Sequence, residues 1–140
     1  MSEARVKVIF NQGLSFTGTG DSGHKVEMDG PAEHGGSDSA ASPMELVLIG
    51  LGGCTGMDAI SILKKKKQPV EGFEMNISGT RAEDYPMRYT DVSIEFVIKG
   101  KGVDEKAVKR AVDLSMEKYC SVKATLEQHT QVSFSYRLEH

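Results

Sequence analysis

The sequence predicts an α+β fold with the element order β-β-β-α-β-β-α-β. Three observations carry that expectation. Several short runs alternate apolar and polar residues with period two, one long stretch is apolar nearly all round, and a second helical pattern precedes a last alternating run. The opening runs, Arg5 to Phe10 and Leu14 to Gly18, flank Asn11-Gln12-Gly13 and predict a hairpin. Lys25 to Met28 adds a short third strand, closed by a turn at Asp29-Gly30-Pro31. From Ala32 to Ser42 the chain is rich in Gly, Ser, Ala and Asp and reads as a loop.

Ser42-Pro43-Met44-Glu45 then sets an N-cap serine, a proline in the first helical position and a glutamate three residues after the cap. The helix that follows, from Met44 to about Lys67, is expected to be buried because it is apolar on every face. Gly50, Gly52 and Gly53 interrupt it, each at a cost of about 1 kcal/mol relative to alanine, which implies close approach by another backbone. Lys64 to Lys67 place cations where they offset the negative end of the helix dipole, and Gln68-Pro69 ends the helix. Strands resume at Phe73 to Ser78 and Tyr89 to Ile98, with an ordinary turn at Asp84-Tyr85-Pro86 between them. Asp104 caps a second helix bearing Val108, Ala111, Val112, Leu114 and Met116, which ends near Tyr119-Cys120. Thr130 to Tyr136 forms the last strand. One domain over residues 1–137 is expected, and Leu138-Glu139-His140 reads as an expression-tag remnant. A chain of 140 residues has difficulty covering so apolar a central helix alone, so an intertwined homodimer is expected.

Composition narrows the function. Seventeen basic against twenty acidic residues give a net charge of −3, which disfavours a nucleic-acid partner. The N-terminus lacks an apolar signal segment, and the run Met44 to Leu51 falls short of the roughly 20 residues that span a bilayer. A cytoplasmic protein with no membrane partner is expected. In that compartment two cysteines are either small buried hydrophobes or redox and catalytic groups. Cys54 lies mid-helix between Gly52-Gly53 and Thr55-Gly56, so neighbouring side chains are cleared from its sulfur. Cys120 stands 66 positions later, which is no C-x-x-C motif, and the histidines show no metal-ligand spacing, so neither metal nor cofactor is expected.

The run from Ser42 through Pro43, Met44 and Glu45 to Gly52-Gly53-Cys54-Thr55-Gly56-Met57-Asp58, with Glu117-Lys118-Tyr119-Cys120-Ser121-Val122, resembles the OsmC/Ohr superfamily and its OsmC-like branch. The resemblance implies the OsmC-like fold over essentially the whole chain. It also implies a thiol-dependent peroxidase acting on small organic hydroperoxides. Cys54 would attack the peroxide and become a sulfenic acid, Cys120 would condense with it to a disulfide, and an external dithiol would reduce that disulfide. Glu45 is the third candidate catalytic residue. In the family's peroxidases a glutamate follows the proline directly and pairs with an arginine from the N-terminal strand region. Here Met44 follows Pro43, and the one-residue shift to Glu45 turns that side chain by about 100°. Glu45 and Cys54 are nine residues apart, about 13.5 Å along a straight helix and on opposite faces. No arginine lies between Gln12 and Ser42, leaving Arg5, Arg81, Arg88, His24 and His34 as candidate cations for the thiol. Asp58, four residues past Cys54, shares its face and disfavours a thiolate when charged. The alternatives are a non-peroxidatic thiol protein that binds or senses a small electrophile or sulfur species, and a structural dimer with core cysteines.

Overall fold

The alternating runs pair into two three-stranded sheets in the computed structural model, which describes residues 2–140. The chain divides into two units, Met1–Val47 and Leu48–His140. In the first unit β1 (Val6–Gln12), β2 (Ser15–Gly20) and β3 (Lys25–Met28) form an antiparallel meander. Gly13, at φ +57°, makes the first turn in the left-handed region that glycine adopts freely. Register sets Val8 opposite Gly18 and Gly18 opposite Val26, and Phe10 opposite Phe16 with ring centroids 5.5 Å apart. One face of the sheet is therefore apolar, yet Val6, Val8 and Phe10 are more than half exposed.

The segment read as a plain loop after β3 is organised by one carboxylate. Asp29, only 3% exposed, accepts hydrogen bonds from the backbone N–H of Gly30, Ser37 and Ser39 and from the Ser39 hydroxyl. The hydrogen bonds from Ser39 and Gly30 hold its carboxyl at a pKa of about 2. A short 3₁₀ turn, Ala32–His34, fits inside this loop.

The second unit contains β4 (Gly72–Arg81), β5 (Tyr89–Lys99) and β6 (Gln131–Glu139). β4 and β5 pair antiparallel, whereas β5 and β6 pair parallel, and parallel neighbours need a long crossover. That crossover holds α2 (Glu105–Leu114), a five-residue π-helical turn (Ser115–Tyr119) and α3 (Ser121–Leu126). The expected second helix thus breaks into three pieces, and Cys120 sits between the last two. Leu138 and Glu139, read as a tag remnant, extend β6 by pairing with Ile98 and Lys99. Ile94, Phe96, Ile98, Val108, Ala111 and Val112 are almost wholly buried and make the core of this unit.

The long helix α1 (Pro43–Lys65) starts in the first unit and continues through the second. Its start is the expected capping box: the Ser42 N–H donates to Glu45 Oε1 at 3.3 Å, and the Glu45 N–H donates to Ser42 Oγ at 3.2 Å. Leu51, Gly52, Thr55, Gly56, Ala59 and Leu63 are its buried residues. A Cβ on Gly52 would stand 2.6 Å from Ile77 Cδ1, and one on Gly56 2.6 Å from Met75 Cε. Gly52 therefore admits the side chains of β4, where the sequence suggested another backbone. Gly50 and Gly53 face open space, and Ile49 and Met57 are 58% and 73% exposed. The expectation of burial on every face holds for one side of α1 only. By length and apolar composition α1 could cross a bilayer, but its inner face packs on β4.

Candidate functional site

Cys54 and Cys120 converge, and they converge on Asp58. The two sulfurs and the Asp58 carboxylate lie within 4.8 Å of one another. Cys54 and Asp58 come from α1, one turn apart on the same face. Cys120 comes from the junction between the π turn and α3. The π turn is what aims it. Ser115, fully buried, donates its hydroxyl to the Thr55 carbonyl at 2.8 Å, tying the start of the turn to the residue that follows Cys54. The Cys120 N–H then donates back to the Ser115 carbonyl at 2.8 Å. Cys120 also serves as the N-cap of α3, its Sγ accepting the Lys123 N–H at 3.4 Å. Such π insertions recur at functional sites because the extra residue re-aims a side chain.

The two thiols differ in access. Both are free, Cys54 half-buried and Cys120 5% exposed. Gly50 lies one turn before Cys54 and Gly53 adjoins it; a Cβ at either would meet nothing within 4 Å, so the approach to Cys54 is open. Burial pushes the Cys120 thiol up to about 11; the backbone N–H groups of Lys123 and Val122 oppose the rise, and a hydrogen bond shared with Cys54 adds to it. Burial likewise raises the Asp58 carboxyl above the usual carboxylate range. Asp58 Oδ2 is enclosed with no hydrogen-bond partner. Cys54, Asp58 and Cys120 are the one group of three potential metal donors among the described residues, one ligand short of a closed tetrahedral zinc site.

Of the other candidate residues, Glu45, Arg5, Arg81 and Arg88 have partners of their own. Glu45 is engaged in the capping box of its own helix. Arg88 donates to the carbonyl of His129 at 2.7 Å, and Arg81 to that of Met87 at 2.8 Å, so both brace loops. Arg5 pairs with Glu3. His24 and His34 belong to the first unit. Two features of the site escaped the sequence reading, the Ser115 clamp and the π turn. Asp58 was legible from its one-turn spacing as a neighbour of Cys54, but not as a neighbour of Cys120. Nothing in the sequence marks a π insertion.

Residues 35–135 match the profile of a family described as OsmC-like protein. The chain is 42% identical over 136 residues, 97% of each chain, to Protein YhfA of Escherichia coli (strain K12). Among solved structures it is similar to a hypothetical protein from Aquifex aeolicus VF5, with a TM-score of 0.83, 33% identity and full coverage of both chains. An organic hydroperoxide resistance protein OsmC from Legionella pneumophila shares the fold at a TM-score of 0.71 and 17% identity, with 97% of each chain covered. The chain belongs to the OsmC-like family.

Proposed function

We propose that this protein is a cytoplasmic thiol-dependent peroxidase that reduces small organic hydroperoxides through Cys54 and Cys120. The observation that carries the reading is the convergence of two cysteines 66 positions apart, the accessible one in front and the buried one behind. The Cys54 thiolate attacks the distal peroxide oxygen, the O–O bond breaks, and the alkoxide leaves and is protonated to the alcohol. Cys54 is then a sulfenic acid, and Cys120 displaces its oxygen as water to give a disulfide. An external dithiol restores the two thiols. The exposed Met57, one turn from Cys54 on the same helix, suits an organic substrate. The names of family neighbours, such as the Legionella protein, point the same way.

We further read the functional unit as a homodimer. The first unit is a three-stranded sheet with an uncovered apolar face, and the second exposes Ile49, Gly50, Gly53 and Met57 along α1. Apolar surface left uncovered in this way marks an interaction site.

A second reading rests on Glu45, Arg81 and Arg88, whose partners are backbone carbonyls and a helix cap. It takes Cys54 as a thiol that captures a small electrophile or sulfur species without peroxide chemistry. Titration of the fully reduced protein with cumene hydroperoxide, read by intact mass and free-thiol count, separates the two. The peroxidase loses both thiols as an intramolecular disulfide. Cys54→Ser abolishes that loss, and Cys120→Ser replaces it by over-oxidation of Cys54. Two thiols that survive excess peroxide at neutral pH, yet react with an alkylating reagent, leave the second reading standing alone.

A further inference from the structure

The proposed peroxidase uses two of the three clustered groups and leaves Asp58 without a task. Its Oδ2 is enclosed and has no hydrogen-bond partner. A buried polar atom without a partner costs free energy, so its presence beside two thiols calls for a chemical reason. The step that needs help is the second one. Only the thiolate is a nucleophile, and with the Cys120 thiol at about 11 roughly one molecule in ten thousand carries it at neutral pH. For Cys120 to attack, its proton must pass to an acceptor. The Asp58 carboxylate lies within 4.8 Å of both sulfurs.

We propose that Asp58 is the proton-transfer residue of the resolving step, taking the Cys120 thiol proton and delivering it to the oxygen that leaves Cys54. The inference rests on the peroxidase reading of the same thiol pair. As Cys120 attacks the sulfenic sulfur, the S–S bond forms and the S–O bond breaks. The Cys120 sulfur is oxidised and the Cys54 sulfur reduced, each by one unit. The S–H proton passes to the Asp58 carboxylate, and from there to the departing hydroxide, which leaves as water. Atoms, charge and electrons balance without a further reactant. A carboxylate raised above its ordinary range is a stronger base than an exposed one, which suits a thiol donor. The titratable groups that face Asp58 are Cys54 on its own helix and Cys120 on the segment packed against it.

Asp58→Asn retains the shape and removes the base. The raised Asp58 value means that the fold favours the uncharged form. That preference stabilises the fold fully below the unfolded carboxylate range and is lost as pH climbs through the folded value. A permanently uncharged asparagine therefore folds at neutral pH, which thermal melting verifies. Reduced wild type and Asp58→Asn are mixed rapidly with cumene hydroperoxide, the sulfenic acid is trapped with dimedone, and disulfide closure is followed by intact mass. The variant forms sulfenic acid at least as fast as the wild type, because a charge that disfavours the Cys54 thiolate is gone, and closes the disulfide about a hundredfold more slowly. Wild-type closure slows as pH falls through the Asp58 value. The variant lacks that limb and speeds up as pH climbs toward the Cys120 value. Equal closure rates with one shared pH profile would overturn the role of Asp58. A second arm runs the same Cys120 attack without peroxide, on a mixed disulfide of Cys54 with thionitrobenzoate, read by the absorbance of the released thiol. If peroxide gives no sulfenic acid, the peroxidase reading fails, and this arm still decides Asp58: slowed release in the variant upholds it, and unchanged release ends it.

Discussion

At Ser115 a buried hydroxyl reaches back 60 positions to the Thr55 carbonyl, and the π turn that starts there hands Cys120 to the face of α1 that bears Cys54. A single side chain thus converts distance in sequence into proximity in space. Asp29 does comparable work in the first unit, where four hydrogen bonds to one carboxylate fold the loop of residues 29–39. Its carboxyl, held at about 2, is more acidic than in the unfolded chain. Such a group adds stability that is fully present above the unfolded value of about 4 and is lost as pH falls through 2. Urea midpoints measured against pH for wild type and Asp29→Asn should therefore differ at neutral pH and draw together between about pH 4 and pH 2. A gap that stays constant across that window would show that Asp29 acts by shape alone. The contrast between the two residues shows what a sequence reveals. Ser115 sits in an ordinary helical pattern, and its partner is 60 residues away, so its role is invisible before folding. Asp29 beside Gly30 and Pro31 signals a turn but not the donors gathered from Ser37 and Ser39.

Among the elements, α1 was the most legible and the most misleading. Its start is written in Ser42, Pro43 and Glu45, and the capping box forms as those residues dictate. Its apolar character on all sides was equally plain, but composition does not say which neighbour covers which face. The glycines divide the answer: Gly52 and Gly56 press on β4, and Gly50 and Gly53 stay open beside Cys54. The end of α1 carries a feature that the charge argument for the lysine run did not reach. Gln68 donates its N–H to the Leu63 carbonyl and Lys67 to the Lys64 carbonyl, the two bonds of a Schellman closure, with Lys67 at φ +56°. That closure favours glycine, because any other L-residue pays a steric cost of about 1 kcal/mol in the left-handed region. Lys67→Gly relieves the strain at the cost of one cation near the helix end and greater freedom in the unfolded chain. The net expectation is a stabilisation of about 0.5 kcal/mol, read as a higher urea midpoint at unchanged slope. A lower midpoint would mean that the lysine charge outweighs the backbone strain. The second helix was legible as a pattern and not as a shape, since apolar spacing runs smoothly from Val108 to Met116 while the backbone changes to a π turn at Ser115.

For the molecule as a whole, the two units leave complementary evidence of an unsatisfied surface. A three-stranded sheet is stable when its apolar face is packed, and the face bearing Val6, Val8 and Phe10 is open. The stripe of α1 that runs through Ile49, Gly53 and Met57 repeats every four residues, the spacing at which one helix seats against another surface. The glycine in that stripe lets a neighbour approach the backbone closely. In a homodimer both surfaces leave water, and two copies of Cys54 gain apolar surroundings without a larger chain. A charge placed in either surface then tests the assembly. Met57→Asp and Val8→Asp each bury a carboxylate if the dimer forms, at a cost of several kcal/mol per ion, and each leaves a fully solvated charge if the chain is a monomer. Sedimentation velocity should accordingly show a dimer for the wild type and a concentration-dependent shift toward monomer for both variants. A wild type that sediments as a monomer at every concentration removes the dimer from the proposal, and the two exposed faces then require a different partner. Dissociation by Met57→Asp alone would assign the contact to α1 and leave the sheet free. Dissociation by Val8→Asp alone would place it on the sheet, and the open flank of Cys54 would then face solvent in the working protein.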